Sequence, residues 1–534
     1  MKLNYKRVIF VGFAFFLISA FWQAYDAIVP KILTDKFGLP QVWSGAIMAL
    51  DNIFALILLP VFGSISDKVS SKHGKRTPFI VIGAVVAAVL LVCLSIPDNA
   101  QLKNINAAVE VTNAECGTGY TEALGEIWDT NPKVTPWETD KMLSEKEPLQ
   151  SLITREAFTA IPMMVTDESG ERVVNPDYTN IVVPARQSYA ALATTKNAVP
   201  LVIFMVLLFF TLIAMGTFRS PAVALMPDVT IKPLRSKANA VINLMGTAGG
   251  ILVLLLGKVL GTGSTANALM SYTTFFAIVA GIMMVGLAVF LWKVREPQWA
   301  AEMQQQSKAL GLDQPEEPTD SESEVRRLSK GEKISLLLIL ASVVFWFMGY
   351  NAVTSKYSVY ASTVLNVDYN TTLLIAQAAA IVAYLPVGIL SSKLGRKKMI
   401  LGGVVILGAS FFFASFLSAD SPNLVKQLLM PLLFALAGIG WATINVNSYP
   451  MVVELSRGSN VGKYTGFYYT ASMSAQVITP ILSGVFLDMN FRTLFPYATF
   501  FVVLAFVTML FVRHGDAKPD AKQTILDGVG GGDD

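Results

Sequence analysis

Runs of about twenty apolar residues recur along nearly the whole chain, each long enough to cross ~30 Å of hydrocarbon as a helix. A segment that lies in lipid must satisfy its own backbone polar groups, which leaves helices or closed barrels. The runs lie near 8–30, 44–63, 78–97, 198–218, 239–260 and 270–293. A second set lies near 334–354, 370–391, 399–418, 425–447, 463–487 and 492–513. The expectation is an all-α membrane protein with twelve transmembrane helices in two pseudo-symmetric six-helix bundles. Charged residues are 15% of the 534, against ~25% in average soluble domains. The first run outlasts a signal-peptide core and no small-residue cleavage site follows it, so it reads as the first span.

Residues 1–294 form the first unit, 295–333 a polar linker, 334–513 the second unit and 514–534 a tail. Lys and Arg set the orientation. With both termini in the cytoplasm, Lys2, Lys6, Arg7, the loop "GSISDKVSSKHGKRTPF" at 63–79, Arg219 to Lys237 and "SKLGRKK" all lie inside. Residues 98–197 then form an extracytoplasmic insertion between spans three and four, with 15 Asp/Glu against 8 Lys/Arg. Fragments such as "NPKVTPWETD" suggest turns and hairpins there. Its role stays open between loop decoration and a lid that captures substrate. Two cysteines and two histidines leave no disulfide framework or metal centre to expect, and no nucleotide fingerprint or catalytic triad stands out. No enzyme activity, cofactor, metal or nucleic-acid partner is expected.

The sequence repeats. At an offset of 325, Tyr25-Asp26-Ala27 falls on Tyr350-Asn351-Ala352, preceded by Phe21-Trp22 and Trp346-Phe347. The same offset puts Gly63 on Gly388, and "GSISDK" on "GILSSK", each followed by a Gly and basic residues. One offset that serves two sites indicates a duplicated six-helix unit.

The G-x-x-x-D-K…G-K-R pattern after span two, with its degenerate copy after span eight, resembles the loop signature of the major facilitator superfamily. The longer "SDKVSSKHGKRTPFI", with "SPAVALMPDV" and "RSKANAVINLMG", resembles the sucrose-transporter-like and glycoside–pentoside–hexuronide:cation symporter branches. The resemblance implies that Asp67, with Arg76, latches the two halves on the cytoplasmic side. The sequence departs from plant-type sucrose transporters, which carry an Arg where Val223 stands and an Asp in span four.

Acids deep in a span need a reason, since a central charge costs ~2.5–3.5 kcal/mol on insertion scales. Asp51 and Asp26 are such acids, and their repeat counterparts, Ala376 and Asn351, are neutral. That asymmetry makes them candidates for the coupling cation; Asp26 is equally a candidate acceptor for sugar hydroxyls. Sugar recognition needs flat apolar faces plus amide and carboxyl partners. Helical stripes of that kind are Trp22/Asp26, Asn239/Asn243, Trp346/Tyr350 with Asn351, Trp441/Asn445 and Tyr468/Gln476. Each also suits helix–helix contact. Gly63, Asp67, Arg76, Arg219, Asp228, Arg235, Gly388, Arg396, Glu454 and Arg457 are the expected cytoplasmic gate. "GTAGG" at 246–250 reads as close helix packing.

The expected function is proton- or sodium-coupled sugar symport, of a disaccharide or glucoside, by a monomer in lipid at the cell membrane. Efflux of amphipathic compounds and a transporter-like sensor built on 98–197 are the alternatives.

Overall fold

The structure, a computed structural model, describes residues 4–69, 71–114, 116–134, 146–166, 170–231, 234–309, 329–418, 421–455 and 461–514. Six long helices build the first bundle: α1 (Tyr5–Lys31), α2 (Gln41–Lys68), α3 (Thr77–Cys93), α4 (Val199–Val229), α5 (Arg235–Val259) and α6 (Thr273–Lys293). Six build the second: α7 (Lys330–Tyr360), α8 (Tyr369–Leu394), α9 (Arg396–Ala414), α10 (Asn423–Glu454), α11 (Val461–Met489) and α12 (Leu494–Leu510). Among the described residues eleven helices are long and apolar enough to cross a membrane, and α8 occupies the remaining place. The protein is thus a multi-pass membrane protein. Alternate helix ends define two faces: a basic face with the α2–α3 turn, and an insertion face with residues 98–197.

Within the bundles α1 packs on α5 and α6, and α7 on α11 and α12. The glycine-rich stretch works as expected: a methyl on Gly249 would press against the Phe16 carbonyl of α1. Between the bundles α2 packs on α11, α5 on α8 and α1 on α7. Inter-bundle hydrogen bonds of the described residues lie at the insertion face, as for Thr262 with Tyr369 and Asn370 or Thr265 with Asn366, with one more at mid-depth.

Several helices outrun their apolar runs. α2 continues to Lys68, so Gly63 and Asp67 are helical, not loop; α4 continues through Pro221 and Pro227 to Val229. Backbone bonding, not side-chain polarity, ends a helix, and polar turns project beyond the hydrocarbon at little cost. The linker also departs from expectation: Glu296–Ala309 is a helix strapped to α1 by an Arg7–Glu302 pair at 2.5 Å, with Arg7 over the Trp299 ring.

The insertion is mainly helical, where turns and hairpins were expected. Ser95–Asn104 prolongs α3, and Asn106–Ala114, Thr118–Asp129 and Val183–Lys196 follow. Only two short antiparallel pairs occur among the described residues, Lys133–Val134 with Glu147–Pro148 and Met164–Thr166 with Arg172–Val174. Ile105, Val111, Leu124, Phe158 and Tyr178 belong to a core of its own. Its base is anchored by charge. Lys36 donates to Asp98 at 2.6 and 2.9 Å and to the Met270 carbonyl at 2.7 Å, with both side chains fully buried.

Candidate functional site

Asp26 and Asp51 each lie ten residues inward from the insertion-face ends of their helical segments at Lys36 and Gln41, or about 15 Å at 1.5 Å per residue. They therefore share a depth. Asp26 is exposed although its neighbours Ala24, Tyr25 and Ala27 are buried, and α1 is surrounded by other helices. A charge on so surrounded a helix is costly against lipid. Asn52 fixes Asp51, donating from its amide side chain at 2.7 Å and its backbone at 2.6 Å to Oδ1.

Arg219 is the third charge. Its position in mid-α4 replaces the helix-end, gate position read from the sequence, because α4 extends ten residues past it to Val229. Its guanidinium carbon lies 5.6 Å from the Trp22 ring centroid, and its charge acts on both Asp26 and Asp51. Among the described residues neither carboxylate makes an ion-pair contact with it. Two carboxylates against one guanidinium leave the ionised cluster with one excess negative charge.

The second bundle carries an aromatic cluster of its own. Tyr350 and Trp441 stack at 3.7 Å with ring planes 1° apart, and Phe347 meets Trp441 edge-on at 5.1 Å. The Nε1 of Trp22, the hydroxyl of Tyr25 and the Nδ2 of Asn351 are buried polar atoms without a hydrogen-bond partner among the described residues. Buried donors of this kind are rare unless something binds them. Gln23 and Gln377, a pair the sequence reading missed, bridge the bundles at 2.7 Å beside Gly250.

Other candidates divide. Trp346 is wholly buried at 0% exposure, and its Nε1, like that of Trp22, has no hydrogen-bond partner among the described residues. Tyr468 is also buried, its hydroxyl 2.9 Å from Ser448 and its ring against Tyr449. Asn445 and Gln476 are half-buried on α10 and α11, and Asn243 is exposed on α5. Side chains of Asn239, Arg235 and Glu454, and all of Arg457, lie outside the described residues.

At the basic face Arg76 gathers the gate motif. It donates to Asp228 at 2.8 Å, and to Asp67, Ser66 and, at 3.4 Å, the Gly63 carbonyl. Burial opposes the Arg76 charge, but the bonds to Asp228 and Asp67 outweigh it and hold its pKa above the usual guanidinium value. Gly63 itself packs on Ser220. Among the described residues all these partners belong to the first bundle, so the cluster ties α2, α3 and α4 together. Gly388 ends up in α8 and Arg396 begins α9. Glu296, unforeseen in the sequence, accepts from the amides of Lys75, Arg76 and Thr77 at 2.6–2.9 Å.

The family model described as Major Facilitator Superfamily matches residues 188–383 and 369–528, more than half of the chain. The chain belongs to that superfamily. A second model, MFS/sugar transport protein, matches residues 10–107. Among curated relatives, the uncharacterized symporter YjmB of Bacillus subtilis is 32% identical over 100 residues, 18% of this chain and 22% of that one. Sucrose transport protein SUC4 of Arabidopsis thaliana is 36% identical over 55 residues, 10% of this chain and 11% of that one. The chain thus spans under a third of the length of the curated relatives it matches. Among solved structures, the inward-open xylose transporter XylE from E. coli covers 95% of both chains with TM-score 0.53 and 14% identity. A POT family transporter in complex with 5-aminolevulinic acid covers 95% of both with TM-score 0.54 and 10% identity. At such identities the likeness is one of fold: this superfamily member has the two-bundle architecture, with its polar cluster on three helices of the first bundle.

Proposed function

We propose that the protein is a secondary transporter that couples sugar uptake to a cation, most simply a proton, by alternating access, and that it catalyses no chemical reaction. The observation that carries the reading is that two acids within spans, Asp26 and Asp51, share a single guanidinium, Arg219, while the second bundle carries the stacked Tyr350–Trp441 pair. A cation neutralises the cluster, and the aromatic face and unpartnered donors suit a hydroxyl-rich ring. One charge moved down 100 mV supplies about 2.3 kcal/mol, close to fifty-fold accumulation. One acid therefore suffices energetically.

The basic face is the cytoplasmic one and both termini lie there, in keeping with the positive-inside rule. Inter-bundle bonds gathered at the insertion face support a conformation sealed outside and open inside. The membrane is the cell membrane and the monomer is the working unit. The relatives named as a symporter and as a sucrose transport protein favour the same class.

The test is sugar-triggered alkalinisation outside de-energised cells that express the protein, over a panel of mono- and disaccharides. Alkalinisation with one sugar class is the expected result. Labelled sugar that enters only when Na⁺ is added would move the coupling ion to sodium. No sugar movement under either condition would overturn the reading.

A further inference from the structure

α2 begins without a cap of its own. Pro40 stands at the cap position and offers no side-chain acceptor. The carboxylate of Asp488 on α11 does the work instead, accepting from the Gln41 amide at 2.5 Å and the Val42 amide at 2.8 Å. Lys356 of α7, fully buried, donates to the Gln41 carbonyl at 2.8 Å. The fit is tight: a methyl on Gly45 would collide with the Pro480 backbone, and one on Gly484 with that of Gln41. The amides that open α2 in the first bundle are therefore satisfied by the second bundle. Separating α2 from α11 strips that cap.

Directly over this seam lies a cavity of about 500 Å³, within the range of small-molecule sites. Its walls come from three parts of the chain: the insertion, with Asn131, Lys146 and Gln187; the first bundle, with Gln41; and the second, with Asp488 and Phe491. The lining is mixed: amide, hydroxyl and charged groups are set among a larger share of apolar surface, which includes the half-buried Phe491 ring. Much of its bonding capacity is unused. Asp488 has spent two of about four lone-pair sites on α2. The side-chain amide nitrogen of Gln41 carries no hydrogen bond among the described residues, and the carbonyl oxygen of Gln187 likewise.

We propose that this cavity is a second binding site, for a small polyhydroxylated ligand, that is complete only while the insertion face is closed. An occupant touches both bundles and the insertion at once, so it holds the seam shut. This rests on the sugar reading above, and it adds a consequence which that reading lacks. Sugar at high concentration on the insertion face slows its own uptake, because the outer site must empty before α2 leaves α11.

The full-length protein in lipid nanodiscs is titrated with glucose, xylose and sucrose by calorimetry, and uptake is measured in parallel over a wide range of outer sugar concentration. Two variants, Ser188→Trp and Leu192→Trp, fill the cavity from the Val183–Lys196 helix without touching the central cluster. Two binding sites for one sugar are expected, with uptake that falls at high concentration. Either Trp variant should weaken the second site at least tenfold and abolish the inhibition, while uptake at low sugar persists. A single binding site, lost in Asp26→Ala and unaffected by both Trp variants, overturns the proposal and leaves the sugar reading standing. Absence of binding and uptake for every sugar overturns both.

Discussion

Replacing Glu296 by alanine should loosen the α2–α3 turn from across the bundle. Its carboxylate, 3% exposed, accepts from the backbone amides of Lys75, Arg76 and Thr77 at 2.6, 2.9 and 2.8 Å, and from the Thr77 hydroxyl at 2.7 Å. α3 cannot supply this itself, because Arg76 at the cap position is no acceptor. Each hydrogen bond to a charged group contributes about 1.5–3 kcal/mol. Loss of a single ordinary N-cap costs about 1 kcal/mol. Water reaches the freed amides at the basic face, so the four bonds do not add in full, and about 3–4 kcal/mol is the expected cost. At about 1 °C per kcal/mol for a chain of this size, the unfolding midpoint should fall by about 3–4 °C. Glu296→Gln keeps an acceptor but loses the charge, and should cost about half as much. Thermal unfolding of the purified protein measures the midpoint, and backbone hydrogen exchange reports the 75–77 amides. A midpoint unchanged in Glu296→Ala, with those amides still slow to exchange, would refute the argument.

The same structure makes further claims. Asp51→Asn should abolish uphill uptake while leaving sugar exchange, as a proteoliposome counterflow assay would read; concentrative uptake at the wild-type level contradicts the coupling role. Trp441→Ala removes one face of the Tyr350 stack and should weaken sugar binding roughly tenfold, for a contact of about 1.5 kcal/mol; calorimetric affinities decide it. Asp98→Ala strands the buried Lys36 charge and should destabilise by about 3–5 kcal/mol, whereas Lys36→Met with Asp98→Leu should recover most of that. Denaturation of the single and double variants compares them. Gly45→Val should force α2 from α11 and raise thiol labelling of a cysteine placed at Ser44 above that in the Gly45 parent.

The local code was readable where the bilayer imposes it. Span number, the two-fold repeat and the tight Gly249 contact follow from apolar length and glycine placement, because lipid forbids unsatisfied backbone and glycine allows helices to touch. Asp26 and Asp51 stood out for the same reason: an acid in an apolar run is conspicuous. Arg219 was placed too near a helix end because the apolar run stops at 218, yet α4 carries Pro221 and Pro227 inside it and continues to Val229. Trp346 and Tyr350 share a helical stripe, but only the packing around them decides which one is sealed in and which stacks on Trp441.

The sequence by itself determined which segments cross the membrane, that they form two related sixes, and that Asp26 and Asp51 lie within spans. Those are properties of single helices in a solvent that cannot hydrogen-bond. Tertiary structure alone decided the partnerships: Asp488 capping α2 from the other bundle, Glu296 capping α3 from the linker, Lys36 closing on Asp98, and Gln23 meeting Gln377. Each joins residues distant in the chain whose local surroundings carry no sign of the partner. A hydrogen-bond donor needs an acceptor, but nothing in its own neighbourhood specifies which of many distant acceptors will arrive.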